Sequence, residues 1–126
     1  MENYALEFAA LLARAIAFAA GDSKGSKAAR VLVLSIPDWG QTPFAAQDPR
    51  GPEKIGAQID LFNAEARKQV MAAGAHFIDV TKLSRVQDPE LVAGDNLHPS
   101  AKAYAQWANA AIERAVIALK STSKAR

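Results

Sequence analysis

With 126 residues, half of them hydrophobic, the chain is long enough for one domain with a workable core and too apolar to be disordered. A net charge of +2, spread along the chain with no basic stripe between aromatics, argues against nucleic-acid binding, and the absence of cysteine excludes disulfides and zinc–thiolate sites. The two histidines, His76 and His98, lie far apart without a second ligand at helical or turn spacing, so neither a metal nor a cofactor is expected.

The apolar N-terminus carries Glu2 and Glu7 where a signal peptide would be positive, and Arg14 interrupts the run. No stretch is long and charge-free enough to predict a membrane span, so a soluble protein of undetermined location is expected. Tyr4, Phe8, Leu11, Leu12, Ala15 and Phe18 recur at three- and four-residue spacing and predict a helix, whose apolar surface Leu6 and Ile16 widen. Gly21-Asp22-Ser23-Lys24-Gly25-Ser26 ends it in a polar loop.

Val31-Leu32-Val33-Leu34-Ser35-Ile36 is a continuous apolar run, the pattern of a strand buried on both faces of a parallel sheet. A loop from Pro37 through Phe44 to Pro52 leaves it, and Ile55, Ile59, Phe62, Ala66 and Val70 then mark one face of a second helix ended by Gly74. Ala75 to Thr81 reads as a second strand. Lys82 to Gly94 reads as a polar connection with one helical turn after Asp88-Pro89. The last helix follows Pro99, with Tyr104, Trp107, Ala108, Ala111, Ile112, Ala115 and Leu119 as its expected buried stripe. The single domain is expected to span residues 1–120, with 121–126 a basic, solvated tail.

Helix, strand, helix, strand, helix implies a right-handed parallel crossover, hence an α/β class fold with helices on both faces of the sheet. In that geometry the loop at Pro37–Phe44 and the turn at Asp95–His98 both lie at the carboxyl ends of the strands, where open α/β sheets build their sites. Two parallel strands make a poor sheet alone. Homo-oligomerisation through the Val31–Ile36 edge is therefore expected.

Gly94-Asp95-Asn96-Leu97-His98-Pro99-Ser100 carries the chemistry. A carboxylate three residues before an imidazole can accept its Nδ1–H, fix the tautomer and leave Nε2 as a base. Pro99 suits a helix start and anchors the turn, although a polar helix-start turn with a solvated histidine satisfies the same spacing. Trp39 and Phe44, at the same edge, are candidate walls of a substrate pocket, and equally candidate covers of the core. Asp38 is read as a brace of its own turn, Ser35 as a buried hydroxyl, and Ser100 as a helix-start hydroxyl.

The ordered blocks Val31-Leu32-Val33-Leu34-Ser35-Ile36-Pro37-Asp38-Trp39-Gly40, Thr42-Pro43-Phe44, Ile59-Asp60-Leu61-Phe62-Asn63, Phe77-Ile78-Asp79-Val80-Thr81 and Asp95-Asn96-Leu97-His98-Pro99 resemble the C-terminal half of an SGNH/GDSL-type esterase. The resemblance covers Tyr4 to about Ala115. It implies a flavodoxin-like sheet, a small acyl ester as substrate, and a Ser-His-Asp triad in which Asp95 and His98 are the acid and base. It also implies that the blocks bearing the nucleophilic serine and the oxyanion-hole glycine and asparagine precede Tyr4, together with roughly the first three strands of that fold.

Gly21-Asp22-Ser23 matches the family's nucleophile triplet literally, but it follows a helix and precedes a strand, the reverse of the family's order. A strand of about six residues spans roughly 20 Å, which separates Ser23 from His98 within one chain and leaves contact across a subunit interface open. Ser23 is the named candidate nucleophile on those terms. The expectation is thus a carboxylesterase of the SGNH type; the competing expectation is a non-catalytic oligomeric α/β domain, or an esterase fragment without its nucleophile and oxyanion-hole blocks.

Overall fold

The computed structural model describes residues 1–19 and 27–123, with the backbone alone for 120–123; Ser23 and its loop lie outside the described residues. Within them the chain is mostly helical, with four α-helices around a two-stranded parallel sheet. Helix α1 runs Glu2–Phe18, strand β1 Leu32–Leu34, α2 Pro52–Ala72, β2 His76–Ile78, α3 Thr81–Ser84 and α4 Ala101–Ser123. Short 3₁₀ turns at Ala28–Arg30, Trp39–Gln41, Pro43–Gln47 and Pro89–Leu91 join them.

The register pairs Leu32 with His76, Val33 with Phe77 and Leu34 with Ile78. Alternation along β1 sends Val33 to one face, where it meets a core of Leu12, Val31, Val70 and Ala75 built with α1 and α2. Leu32 goes to the other face, against Ile78, Val80 and Trp107 of the α4 side. The three layers follow from that alternation. Ile55, Val70 and Val80 are the largest fully buried side chains, each worth about 1.5–3 kcal/mol of transfer free energy.

Helix α2 starts with Pro52 in its first turn, where the missing N–H costs nothing, and buries Ile55, Ile59, Asn63, Ala66 and Val70 along one stripe. Asn63 replaces Phe62 on the innermost line for a specific reason. Its amide accepts from the Ile36 N–H (2.8 Å) and donates to the Ile36 carbonyl (2.9 Å) and to Thr81 Oγ1 (3.0 Å). Ser35 Oγ in turn accepts from the backbone N–H groups of Val80 and Thr81. Ser35 Oγ thereby takes the Val80 N–H that would otherwise extend the ladder, and β1 stops at Leu34 and β2 at Ile78, shorter than the apolar runs predict.

Burial departs from the sequence expectation on α1, where Leu6, Leu11 and Phe18 of the apolar surface are exposed, and in two further places. Leu34 and Ile36 are exposed rather than covered on both faces. On α4 the buried residues are Ala103, Trp107 and Ala118, while Tyr104 and Ile112 stand more than half exposed. Ala101, Tyr104, Ala105, Ala108, Ile112, Ala115 and Val116 fall within one arc of the helix at 100° per residue, so α4 is apolar well beyond the face that the two strands can cover.

Candidate functional site: the Asp95–His98 turn and its groove

Asp95 Oδ1 accepts from the backbone N–H groups of Leu97 (3.0 Å) and His98 (2.9 Å), folding the chain tightly back on itself. Asn96 sits at φ 64°, a left-handed conformation that asparagine tolerates better than most residues. The turn is clamped at its base: Ala93 N–H donates to the His98 carbonyl (2.8 Å), Ser100 N–H to Leu91 (2.9 Å), and Val92 bridges Pro99. At its tip the Asn96 carbonyl accepts from Phe44 N–H (3.1 Å), which ties the turn to the loop after β1.

The second oxygen, Asp95 Oδ2, lies 2.6 Å from His98 Nδ1. Because the carboxylate accepts from both backbone N–H groups and from the ring, Asp95 is held down at about 2, the His98 backbone bond contributing most. A carboxylate that stays ionised is an acceptor only, so it selects the Nδ1–H tautomer and leaves the Nε2 lone pair available. Both side chains are more than half exposed, at 68% for His98 and 52% for Asp95. Among the described residues none hydrogen-bonds Nε2.

His98 lines a groove of about 770 Å³ whose walls are mostly apolar. Ile36, Pro37, Trp39 and Phe44 come from the loop after β1, Leu83 and Val86 from α3 and its exit, and Leu97, Pro99 and Trp107 from the turn and α4. Trp39 does both jobs that aromatics in loops can do. It packs on the Ala45–Ile55–Ile59 cluster and stands 6.2 Å from the Phe44 ring, while both rings border the groove. Arg50, held by Asp48, lies 5.2 Å over the Trp39 ring from outside.

Asp38 is the brace beneath this wall. It is 2% exposed, accepts from Gly40 N–H (2.9 Å) through Oδ1 and from Arg85 Nε (2.8 Å) through Oδ2. Its own N–H donates to Ser84 Oγ (2.7 Å). Arg85 also reaches Asp60 (2.9 Å); the bond to Asp38 is the main cause that raises the guanidinium above its ordinary pKa, against partial burial. Gly40 is required here, because a Cβ would come within 2.8 Å of Asp38 Oδ1 and 2.9 Å of the Pro52 carbonyl.

The described serines are engaged elsewhere. Ser35 Oγ is buried among Val80 and Thr81, Ser84 Oγ donates to the Thr81 carbonyl, and Ser100 Oγ donates to Glu90 O and caps α4 by accepting from Ala103 N–H. His76 Nε2 contacts the Ala29 carbonyl (3.1 Å), far in sequence from the turn. The structure places His98, Trp39 and Phe44 around one groove, with Asp95 bonded to His98 behind it; Arg85, Asn63 and the Phe44–Asn96 link join segments dozens of residues apart and have no local signature.

Among the described residues no group of three or more His, Cys, Asp and Glu side chains could hold a metal ion, and no helix is long and apolar enough to cross a membrane. Comparisons with family models, curated proteins and solved structures found no match.

Proposed function

We propose that the chain is the acid–base half of an ester-hydrolysing site of the SGNH/GDSL type, carried on a partial flavodoxin-like α/β/α unit. The observation that carries this reading is the 2.6 Å Asp95–His98 pair at the lip of an apolar groove large enough for a small acyl ester. In the reaction, His98 Nε2 removes the proton from the attacking hydroxyl while Asp95 holds the ring and stabilises the imidazolium. The same proton then passes to the departing alkoxide, which leaves as the alcohol. Trp39 and Phe44 wall the acyl chain.

Water is the attacking hydroxyl that the dyad needs least help to activate; general-base assistance of this kind contributes about a hundred- to ten-thousandfold. Faster turnover calls for a serine and oxyanion donors, and Ser23 of another subunit is the candidate this sequence offers. A second reading, a non-catalytic α/β domain, is favoured by one observation: the dyad is solvent-exposed and the described serine hydroxyls are bonded away from it.

Hydrolysis of p-nitrophenyl acetate separates the readings. Wild type should exceed the buffer rate, His98→Ala should return to it, and Asp95→Asn should lose most of the gain. Ser23→Ala should match wild type if water attacks, and match His98→Ala if Ser23 is the nucleophile. Four identical rates at the buffer background would leave the non-catalytic reading.

A further inference from the structure

The groove beside His98 is framed by its own hydrogen bonds. Asp38 N–H donates to Ser84 Oγ (2.7 Å), Gln87 Nε2 to Gln41 Oε1 (3.1 Å) and Phe44 N–H to the Asn96 carbonyl (3.1 Å), which ties the loop after β1 to α3, to its exit and to the His98 turn. Both tryptophans of the chain, Trp39 and Trp107, line it. Phe44 and Val86 also line it and stand about half exposed, so apolar surface is left wet that a ligand would cover. At about 770 Å³ the groove falls within the roughly 300–1,000 Å³ of sites that enclose drug-sized ligands, far more than an acetyl group fills. Its charges are of one sign. Among the described residues that line it there is no lysine or arginine, and the carboxylates are Asp38 and Asp88. Arg85 (2.8 Å) and Lys102 (2.8 Å) pair with them from outside the lining. The bond to Lys102 is the main cause that holds the Asp88 carboxyl below its ordinary pKa, so it stays ionised at neutral pH. A carboxylate entering the groove would lose water, meet no cation on the walls and face these two groups, with Asp95 behind His98.

We propose that the groove binds an uncharged, unbranched alkyl chain several carbons longer than acetyl, and disfavours the same chain once it ends in a carboxylate. The proposal rests on the ester-hydrolysis reading for what the chain is attached to, and it names the substrate class as neutral, medium-chain acyl esters. Hydrolysis breaks the acyl–oxygen bond and adds water across it, giving an alcohol and an acid whose proton passes to solvent. The acid product thus gains the charge that the walls have no cation to hold. A groove that takes in the neutral ester releases the anion, and product does not compete with substrate. Each methylene that enters exchanges water for apolar wall, so affinity should rise by up to about fourfold per carbon until the chain reaches the end of the groove.

Because both tryptophans line the groove, their fluorescence reports its occupancy without any hydrolysis. Wild type titrated in mildly alkaline buffer with 1-butanol, 1-hexanol and 1-octanol should show a Kd that falls about two- to fourfold per methylene. Sodium octanoate should bind at least about tenfold more weakly than 1-octanol. Val86 lines the groove, is 54% exposed and lies outside the helices and strands, so Val86→Arg adds a cation to the wall without disturbing the core. That variant should bind octanoate at least about fivefold more tightly than wild type does. A Kd that stays flat along the alcohols, octanoate that binds as tightly as 1-octanol, or a Val86→Arg protein with the wild-type preference overturns the proposal. The two readings fail separately. Chain-dependent binding with ester hydrolysis at the buffer rate keeps the groove's ligand and removes the esterase; hydrolysis that His98→Ala abolishes, with flat binding, does the reverse.

Discussion

Asp38 and Asp95 each close a tight turn beside the same groove, and each pairs with one basic side chain, yet their surroundings differ in every respect that matters. Asp38 is buried, its partner Arg85 is shared with Asp60, and its two carboxylate oxygens hold the Gly40 N–H and the Arg85 guanidinium in place. Asp95 is exposed, its partner is a titratable imidazole, and the atom it frees, His98 Nε2, is left without a protein partner among the described residues. Burial turns the first carboxylate into a structural post. Exposure beside a groove suits the second to moving a proton.

That contrast breaks most visibly at Asp38. Removing one partner of a buried ion pair strands the other, so Asp38→Ala should cost about 3 kcal/mol, the low end of the usual range because Arg85 is 36% exposed. The urea midpoint checks it, and Asp95→Asn, which keeps an N–H acceptor in its exposed turn, should lower that midpoint only slightly. Next in size is Gly40→Ala. The added methyl collides with the Asp38 carboxylate and with the Pro52 carbonyl, one of them backbone, and should cost about 2 kcal/mol in the same measurement.

The smallest effect is the acid response of the Asp95 turn. Its carboxyl is lowered from 3.8 to about 2, so the turn's contribution to stability is present above about 3.8 and is lost as pH falls toward 2. Asp95→Asn should flatten stability across that acid window and sit slightly below wild type at neutral pH, as chemical denaturation at several pH values would reveal.

The elements that sequence patterning predicts are those whose signal is local. The Asp95–His98 spacing, the Val31–Ile36 run and the α2 stripe each contain their own instruction, and the structure puts helices, strands and dyad where these point. The α4 stripe is different. Apolar residues cover more than half of that helix, and only its position over two strands decides that Trp107 is buried while Tyr104 and Ile112 are not. Strand length fails for a related reason: Ser35 Oγ, 45 residues from Val80, captures the Val80 N–H that would have continued the ladder. The Asp38–Arg85 brace spans 47 residues and has no periodicity to read.

The most direct test of the account is the tautomer of His98. Long-range proton–nitrogen correlation spectra in mildly alkaline buffer distinguish which ring nitrogen carries hydrogen. The account predicts the Nδ1–H form in wild type and its loss in Asp95→Asn. A predominant Nε2–H form, identical in the two proteins, would contradict it, because the nitrogen facing substrate would then be a donor with no lone pair to accept a proton.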